Sequence, residues 1–180
     1  MAPPPESDAE EELEVAPRQA SASTSQLIRW MSVQDANSAG SIHGGTVLRF
    51  IDEATGLAAI KHCGMRVVTA GLDRMTFLEP VAVAELLSCT ATVNAAWRSS
   101  MEVGVRVEAE NPFTRKRRHT STAYLTMVAI GDDGHPARVP PLLTSSADEE
   151  RRCHEAELRR ANRLAERDQI ISHRAETGDS

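Results

Sequence analysis

Residues 46–62, TVLRFIDEATGLAAIKH, carry apolar side chains around most of a helical circumference. Val47, Leu48, Ile51, Ala54, Leu57, Ala58 and Ile60 recur near the helical period of about 3.6 residues. Such a helix has to be covered on nearly every side, so the rest of the chain must wrap it. The turn formers Gln34 to Ser41 and then His43-Gly44-Gly45 lead into it, and Gly64 follows as a C-cap with His62 in the last turn. The wrapping material reads as strand. Residues 67–77 form one, ended by Glu79-Pro80, and 84–97 form a long second one. Beyond the Arg98-Ser99-Ser100 corner, Met101, Val103, Val105 and Val107 alternate with polar or small residues, the period of two that a strand requires. A last strand spans about 118–130 and stops at Gly131-Asp132-Asp133-Gly134, while 27–33 read as a first strand ahead of the helix.

The flanks differ in composition from this middle. Residues 1–25 hold six acids and one base, with a proline run and several serines, and read as a disordered acidic tail. Residues 26–141 then form one domain, 142–172 a charged helical extension and 173–180 a flexible tail. In the extension Leu158, Ala161 and Ala165 share one helix face, which would pack on a surface or a neighbouring subunit. The chain's net charge of −6 therefore belongs to its ends. A near-neutral middle with one Tyr and three Phe in the whole chain argues against nucleic-acid binding. No apolar stretch is long enough to span a membrane, and the proline-rich acidic start lacks the pattern of a secretory signal. Cys63, Cys89 and Cys153 stand far apart, an odd count without a CxxC pair, which fits a reducing cytoplasm and no metal site.

One central helix after a glycine loop, followed by four antiparallel strands, is an α+β order in which the sheet wraps the helix: the hotdog fold, with a C-terminal helix appended. Its open sheet edge predicts self-association. Asp35-Ala36-Asn37, His43-Gly44-Gly45, Ile51-Asp52-Glu53-Ala54, Lys61-His62-Cys63, Val68-Thr69-Ala70, the run Met75 to Val81 and Ser99-Ser100-Met101-Glu102 together resemble single-hotdog acyl-CoA thioesterases of the brain acyl-CoA hydrolase and YciA type. The resemblance runs from about Leu27 to about Pro141, and the charged helix is similar to that family's C-terminal extension.

The residues support a thioesterase site independently. Gly44 and Gly45 stand at a helix N-terminus, where free N–H groups and the positive dipole end favour developing negative charge, and glycine lets a substrate approach the backbone. Asp52 follows Gly45 by about two turns and so shares its helix face. Set among Phe50, Ile51, Ala54 and Leu57, it would be buried, which disfavours the charged carboxylate and suits it to base work. From spacing alone Asp52 reads equally as an exposed acid pairing with Arg49 or Lys61. The resemblance implies the catalytic role, and implies that Asn37, otherwise an ordinary Asx-turn residue, completes the site from a second subunit. His43 reads as a turn or capping residue. By resemblance, Ala70, Gly71 and Leu72 on one strand and Ser99, Ser100 and Met101 at a corner border coenzyme A, with Arg98 adding a cation. Arg115 to Arg118 read as a solubilising hairpin tip rather than a phosphate contact.

The resulting expectation is an acyl-CoA thioester hydrolase. Asp52 would act as general base, or less readily as nucleophile, with Asn37 of the partner and the Gly45 N–H completing the site. Neither cofactor nor metal is implied, since coenzyme A is part of substrate and product, and the resemblance implies a hexamer built as a trimer of dimers. The alternatives are a non-catalytic acyl-CoA sensor, which would not need both Asn37 and Asp52, and a hotdog dehydratase or hydratase, which would need a catalytic His.

Overall fold

The computed structural model describes residues 15–177. Strand β1 (Arg18–Gln19), strand β2 (Ser25–Trp30), helix α1 (Gly44–Cys63), strands β3 (Arg66–Leu72), β4 (Leu86–Ala96), β5 (Ser100–Glu110), β6 (Arg117–Ile130) and β7 (Leu142–Leu143), and helix α2 (Ala147–Thr177) follow in order. Five strands make one antiparallel sheet in the order β2-β4-β5-β6-β3, and β1 pairs with β7 in a small parallel ribbon. Period-two alternation sends Leu87, Cys89, Ala91 and Val93 of β4, Met101 to Ala109 of β5 at alternate positions, and Ala123 to Ala129 of β6 into the concave face. Val47, Phe50, Ile51, Ala54 and Ala58 of α1 fill that concavity. This is the hotdog architecture, curled around its helix by bulges between Thr69 and Gly71, Val93 and Ala95, and Val107 and Glu108. Among the described residues, no helix is long and apolar enough to cross a membrane.

Several boundaries differ from the sequence expectation. The ordered fold begins ahead of residue 26: Ala20 and Ser23 are buried, and the Ser23 hydroxyl accepts from the Val93 N–H at 3.0 Å. The segment is held because it closes the C-terminal end of α1, where Arg18 donates to the Lys61 carbonyl and Lys61 to the Thr24 carbonyl. The expected tail over residues 1–14 lies outside the described residues, as do 178–180, whereas 173–177 continue α2 rather than forming a flexible end. Strand β3 stops at Leu72, five residues short of the expected Phe77; Asp73 still donates its N–H to the Tyr124 carbonyl, and the side chains of Asp73 and Arg74 ion-pair with Arg163 and Glu166 of α2.

Helix α2 also packs by a different face. Leu158 is 53% exposed, and Ala161 and Ala165 are exposed with it. Instead Ala156 is fully buried, and Arg159 and Arg163 lie against the sheet's convex side. That side presents Asn94, Glu102 and Tyr124, so it docks guanidinium groups rather than leucines: Arg159 bonds both oxygens of the fully buried Glu102 and stacks 3.6 Å from the Tyr124 ring centroid. The expected all-round burial of α1 is only partly met. Leu57 and Ile60 remain 44% and 45% exposed, Ile60 beside Val67 and Val68 of the unpaired β3 edge.

Candidate active site

The loop before α1 is built around a buried acid. Asp35 accepts from the Ser32 N–H at 2.9 Å and the Ser32 hydroxyl at 2.8 Å and pairs with Arg29, and these bonds from Ser32 first, then Arg29, hold its carboxyl below the usual carboxylate range. Its backbone carbonyl receives the His43 N–H. This fixes both ends of the Asn37 loop. Asn37 is half-buried and closes an Asx turn, its Oδ1 accepting from the Ala39 N–H and Ser41 N–H while Nδ2 donates to the Ser41 hydroxyl. No hydrogen bond joins Asn37 to Asp52 within the described chain.

His43 is the N-cap of α1, and its Nδ1 accepts from the Gly45 N–H at 3.1 Å. The donor expected to polarise a substrate carbonyl is therefore already engaged by the cap. Gly44, one residue nearer the helix start, faces an apolar cavity of about 290 Å³ lined by Ser41, Ile42, Val47, Phe77 and Leu78. The Phe77 ring lies so close that a Cβ on Gly44 would meet it at 3.5 Å.

Asp52 is exposed rather than embedded, because Phe50, Ile51 and Ala54 take the sheet-facing positions of α1 and Asp52 is rotated off them. Glu53 turns to Arg49 in a surface pair, and Asp52 instead accepts from the Thr69 hydroxyl at 2.5 Å. Thr69 was not singled out from sequence; it sits on another element, and only sheet register shows that it meets the helix. Its neighbours Ala70, Gly71 and Leu72 are exposed, with the bulge at Ala70. Across β6, Ser100 pairs with Val128, which pairs with Val68, so the Ser99-Ser100 corner and the Ala70–Leu72 segment flank different stretches of β6. Met101 is fully buried in the core, turned inward by the alternation that leaves Ser100 half-buried. Arg98 is exposed. In the basic run, Arg117 pairs with Glu110 and Arg118 with Glu79 and Glu85, so both are committed within the chain.

A profile of the thioesterase superfamily matches residues 39–113. The uncharacterized acyl-CoA thioester hydrolase of Bacillus subtilis is 33% identical over 128 residues, covering 71% of this chain and 74% of that protein. The chain belongs to the thioesterase superfamily. The cytosolic acyl coenzyme A thioester hydrolase of Rattus norvegicus is 29% identical over 84% of this chain, which spans only 40% of that longer protein. Among solved structures, a hexameric acyl-CoA thioesterase without ligand superposes with a TM-score of 0.81 at 35% identity, over 84% of this chain and 97% of that one. The acyl-CoA hydrolase of Staphylococcus aureus, solved with butyryl coenzyme A and coenzyme A, gives 0.78 at 34% identity over 88% and 98%. That enzyme has also been solved as alanine variants of one Asn, one Asp and one Thr. Along this superfamily member the three stand at the same separations as Asn37, Asp52 and Thr69 do here.

Proposed function

We propose that the chain is an acyl-CoA thioesterase, hydrolysing acyl-CoA to a free carboxylic acid and coenzyme A. The observation that carries this reading is the Asp52 carboxylate held at 2.5 Å by the Thr69 hydroxyl, two turns along α1 from its glycine start, on a superfamily member. Thr69 occupies Oδ1 and fixes the carboxylate's rotation, leaving Oδ2 to take a proton from water. The water oxygen bonds to the thioester carbon, the C–S bond breaks, and the coenzyme A thiolate receives a proton. Charge that develops on the carbonyl oxygen is met by the N-terminal N–H groups of α1. The Gly44 N–H serves directly, and the Gly45 N–H serves once His43 releases it.

In a single chain Asp52 is exposed to water. The exposed Ile60, beside Val67 and Val68 on the open β3 edge, fits a second copy that would cover this side of α1 and bring its Asn37 to Asp52. The hexameric relative supports assembly beyond the dimer, as a trimer of dimers, and the rat relative's name supports a cytosolic setting. Ala70, Gly71, Leu72, Arg98, Ser99 and Ser100 are the positions offered to coenzyme A, with no further cofactor or metal in the reaction.

The test is release of free thiol from a panel of acyl-CoAs, acetyl to palmitoyl. Asp52→Ala should lose at least about 100-fold in kcat, as removal of a general base does, with the oligomer intact. Binding without turnover in the unaltered protein would sink the catalytic reading and leave an acyl-CoA sensor.

A further inference from the structure

We propose that residues 73–81 form a strap across the mouth of the acyl cavity and that Arg163 of α2 is its positioning residue, so that the C-terminal helix sets which acyl chains are accepted. This inference rests on the thioesterase reading.

The strap leaves the end of β3 and passes the start of α1, where Phe77 and Leu78 wall the cavity of about 290 Å³ beside Gly44. Its far end is fastened firmly. Leu78 N–H donates to the Thr120 carbonyl at 2.9 Å, the Val81 carbonyl accepts from Ile42 at 2.8 Å, and Arg118 donates to the Pro80 carbonyl while pairing with Glu79 and Glu85. Its near end is fastened at Asp73, whose N–H donates to the Tyr124 carbonyl at 3.0 Å and whose Oδ2 accepts from Arg163 at 2.7 Å. The neighbouring Arg74–Glu166 pair has side chains 91% and 56% exposed and holds little.

Arg163 is not an ordinary surface arginine. The same Nη1 that reaches Asp73 lies 3.6 Å from Oε2 of Glu102, a carboxylate with no exposed surface. Arg159, one turn earlier on α2, locks Glu102 with 2.7 and 3.2 Å bonds. Glu102 cannot move, so it fixes Arg163, and Arg163 fixes Asp73. Between Asp73 and Leu78 the exposed Arg74–Glu166 pair is the one side-chain ion pair among the described residues, Met75 rests half-buried on the core, and Phe77 stands 48% exposed over Gly44. An ionic chain thus runs from the convex face of the sheet, through α2, to Asp73, four residues ahead of the Phe77 side chain that walls the cavity. Arg163 touches neither substrate nor reacting atoms.

An acetyl group is too short to feel the Phe77 wall, whereas a longer chain must lie against it. Freeing the near end should cost the contact of one or two methylenes, a weakening of about 4- to 15-fold for long chains. The experiment uses the full chain with Arg163→Gln and Arg163→Lys. Affinities for non-hydrolysable S-alkyl coenzyme A thioethers of increasing length are measured beside kcat and KM for the matching acyl-CoAs. Arg163→Gln should raise KM and weaken thioether binding 4- to 15-fold for chains of about eight carbons or more, with acetyl-CoA kcat within about twofold and the oligomer unchanged. Arg163→Lys should recover most of the loss, and Phe77→Ala should produce the same profile without adding to Arg163→Gln. A uniform loss across lengths, an unchanged profile, or thioether affinity independent of length in the unaltered protein would each overturn the proposal. Thioether binding that follows the expected profile without any turnover would retain the strap while removing the thioesterase reading.

Discussion

Replacing Arg159 by Met should be among the most damaging single changes on the surface of this protein. The substitution keeps an apolar stem over Tyr124 but deletes the guanidinium that holds both oxygens of Glu102 at 2.7 to 3.2 Å. Glu102 is 0% exposed, and its remaining partners are Arg163 at 3.6 Å and the Asn94 amide at 3.3 Å. Stripping one partner from a buried ion pair costs about 3–5 kcal/mol, because an uncompensated carboxylate stays behind. Glu102→Gln in the same background removes that charge, so the double variant should lose less than about 2 kcal/mol, a coupling of at least ~1 kcal/mol. The measurement is urea unfolding at one fixed protomer concentration, since assembly makes stability concentration-dependent. Trp97 gives a local signal: its Nε1 donates to Glu157 at 2.7 Å and Arg160 stacks on its ring, so its fluorescence reports whether α2 stays docked. A loss below about 1 kcal/mol for Arg159→Met, with Trp97 unchanged, would mean that the pair behaves as an exposed one and would refute the reasoning.

Three further outcomes follow from buried groups. A Cβ at Gly104 would stand 2.5 Å from Asn94 Nδ2 and 3.2 Å from its Cγ, and Asn94 is 2% exposed, so Gly104→Ala should cost about 1–3 kcal/mol in the same unfolding assay. Burial raises all three thiols, Cys89 to about 12, so accessibility decides: thiol reagents should reach half-buried Cys153 first, slowly near neutral pH, and label buried Cys63 and Cys89 only as the chain unfolds. His62 is buried with Nε2 on the Pro140 carbonyl, and burial lowers its pKa from 6.5. Its neutral form belongs to the fold, so its contribution is complete above 6.5 and is lost as pH falls through the lowered folded value; His62→Gln should flatten the stability profile over that interval.

The core was legible because burial repeats in sequence. Val103, Val105 and Val107 alternate as a half-buried strand must, and the glycines that start and end α1 punctuate it. Legibility failed where the deciding partner lies far along the chain. Thr69 meets Asp52 only through the register of β3 beside the helix, and nothing in Val68-Thr69-Ala70 signals it. The expected apolar face of α2, Leu158 with Ala161 and Ala165, followed the usual rule that apolar stripes dock. That rule gave way because the convex side of the sheet carries Glu102 and Tyr124, which take arginines. Gly45 shows the same limit on a smaller scale: spacing identified a helix start, and the rotamer of His43 decides whether its N–H is free.

The two unfinished features of the single chain have one remedy. Helix α1 is too apolar for one sheet to cover, which leaves Leu57 and Ile60 in water, and the same helix leaves Asp52 exposed with one Oδ on the Thr69 hydroxyl. Exposed leucine and isoleucine cost free energy on the order of 25 cal/mol per Å² left uncovered. A second copy on that face answers both at once: covering the apolar residues drives association, and the same burial dries the carboxylate. In the proposed reading, association and catalysis are then one equilibrium. Activity per protomer should fall on dilution in step with dissociation, and Ile60→Lys, which touches no reacting group, should abolish both together. A dissociated protomer retaining full turnover would show that Asp52 needs no partner and would break this link.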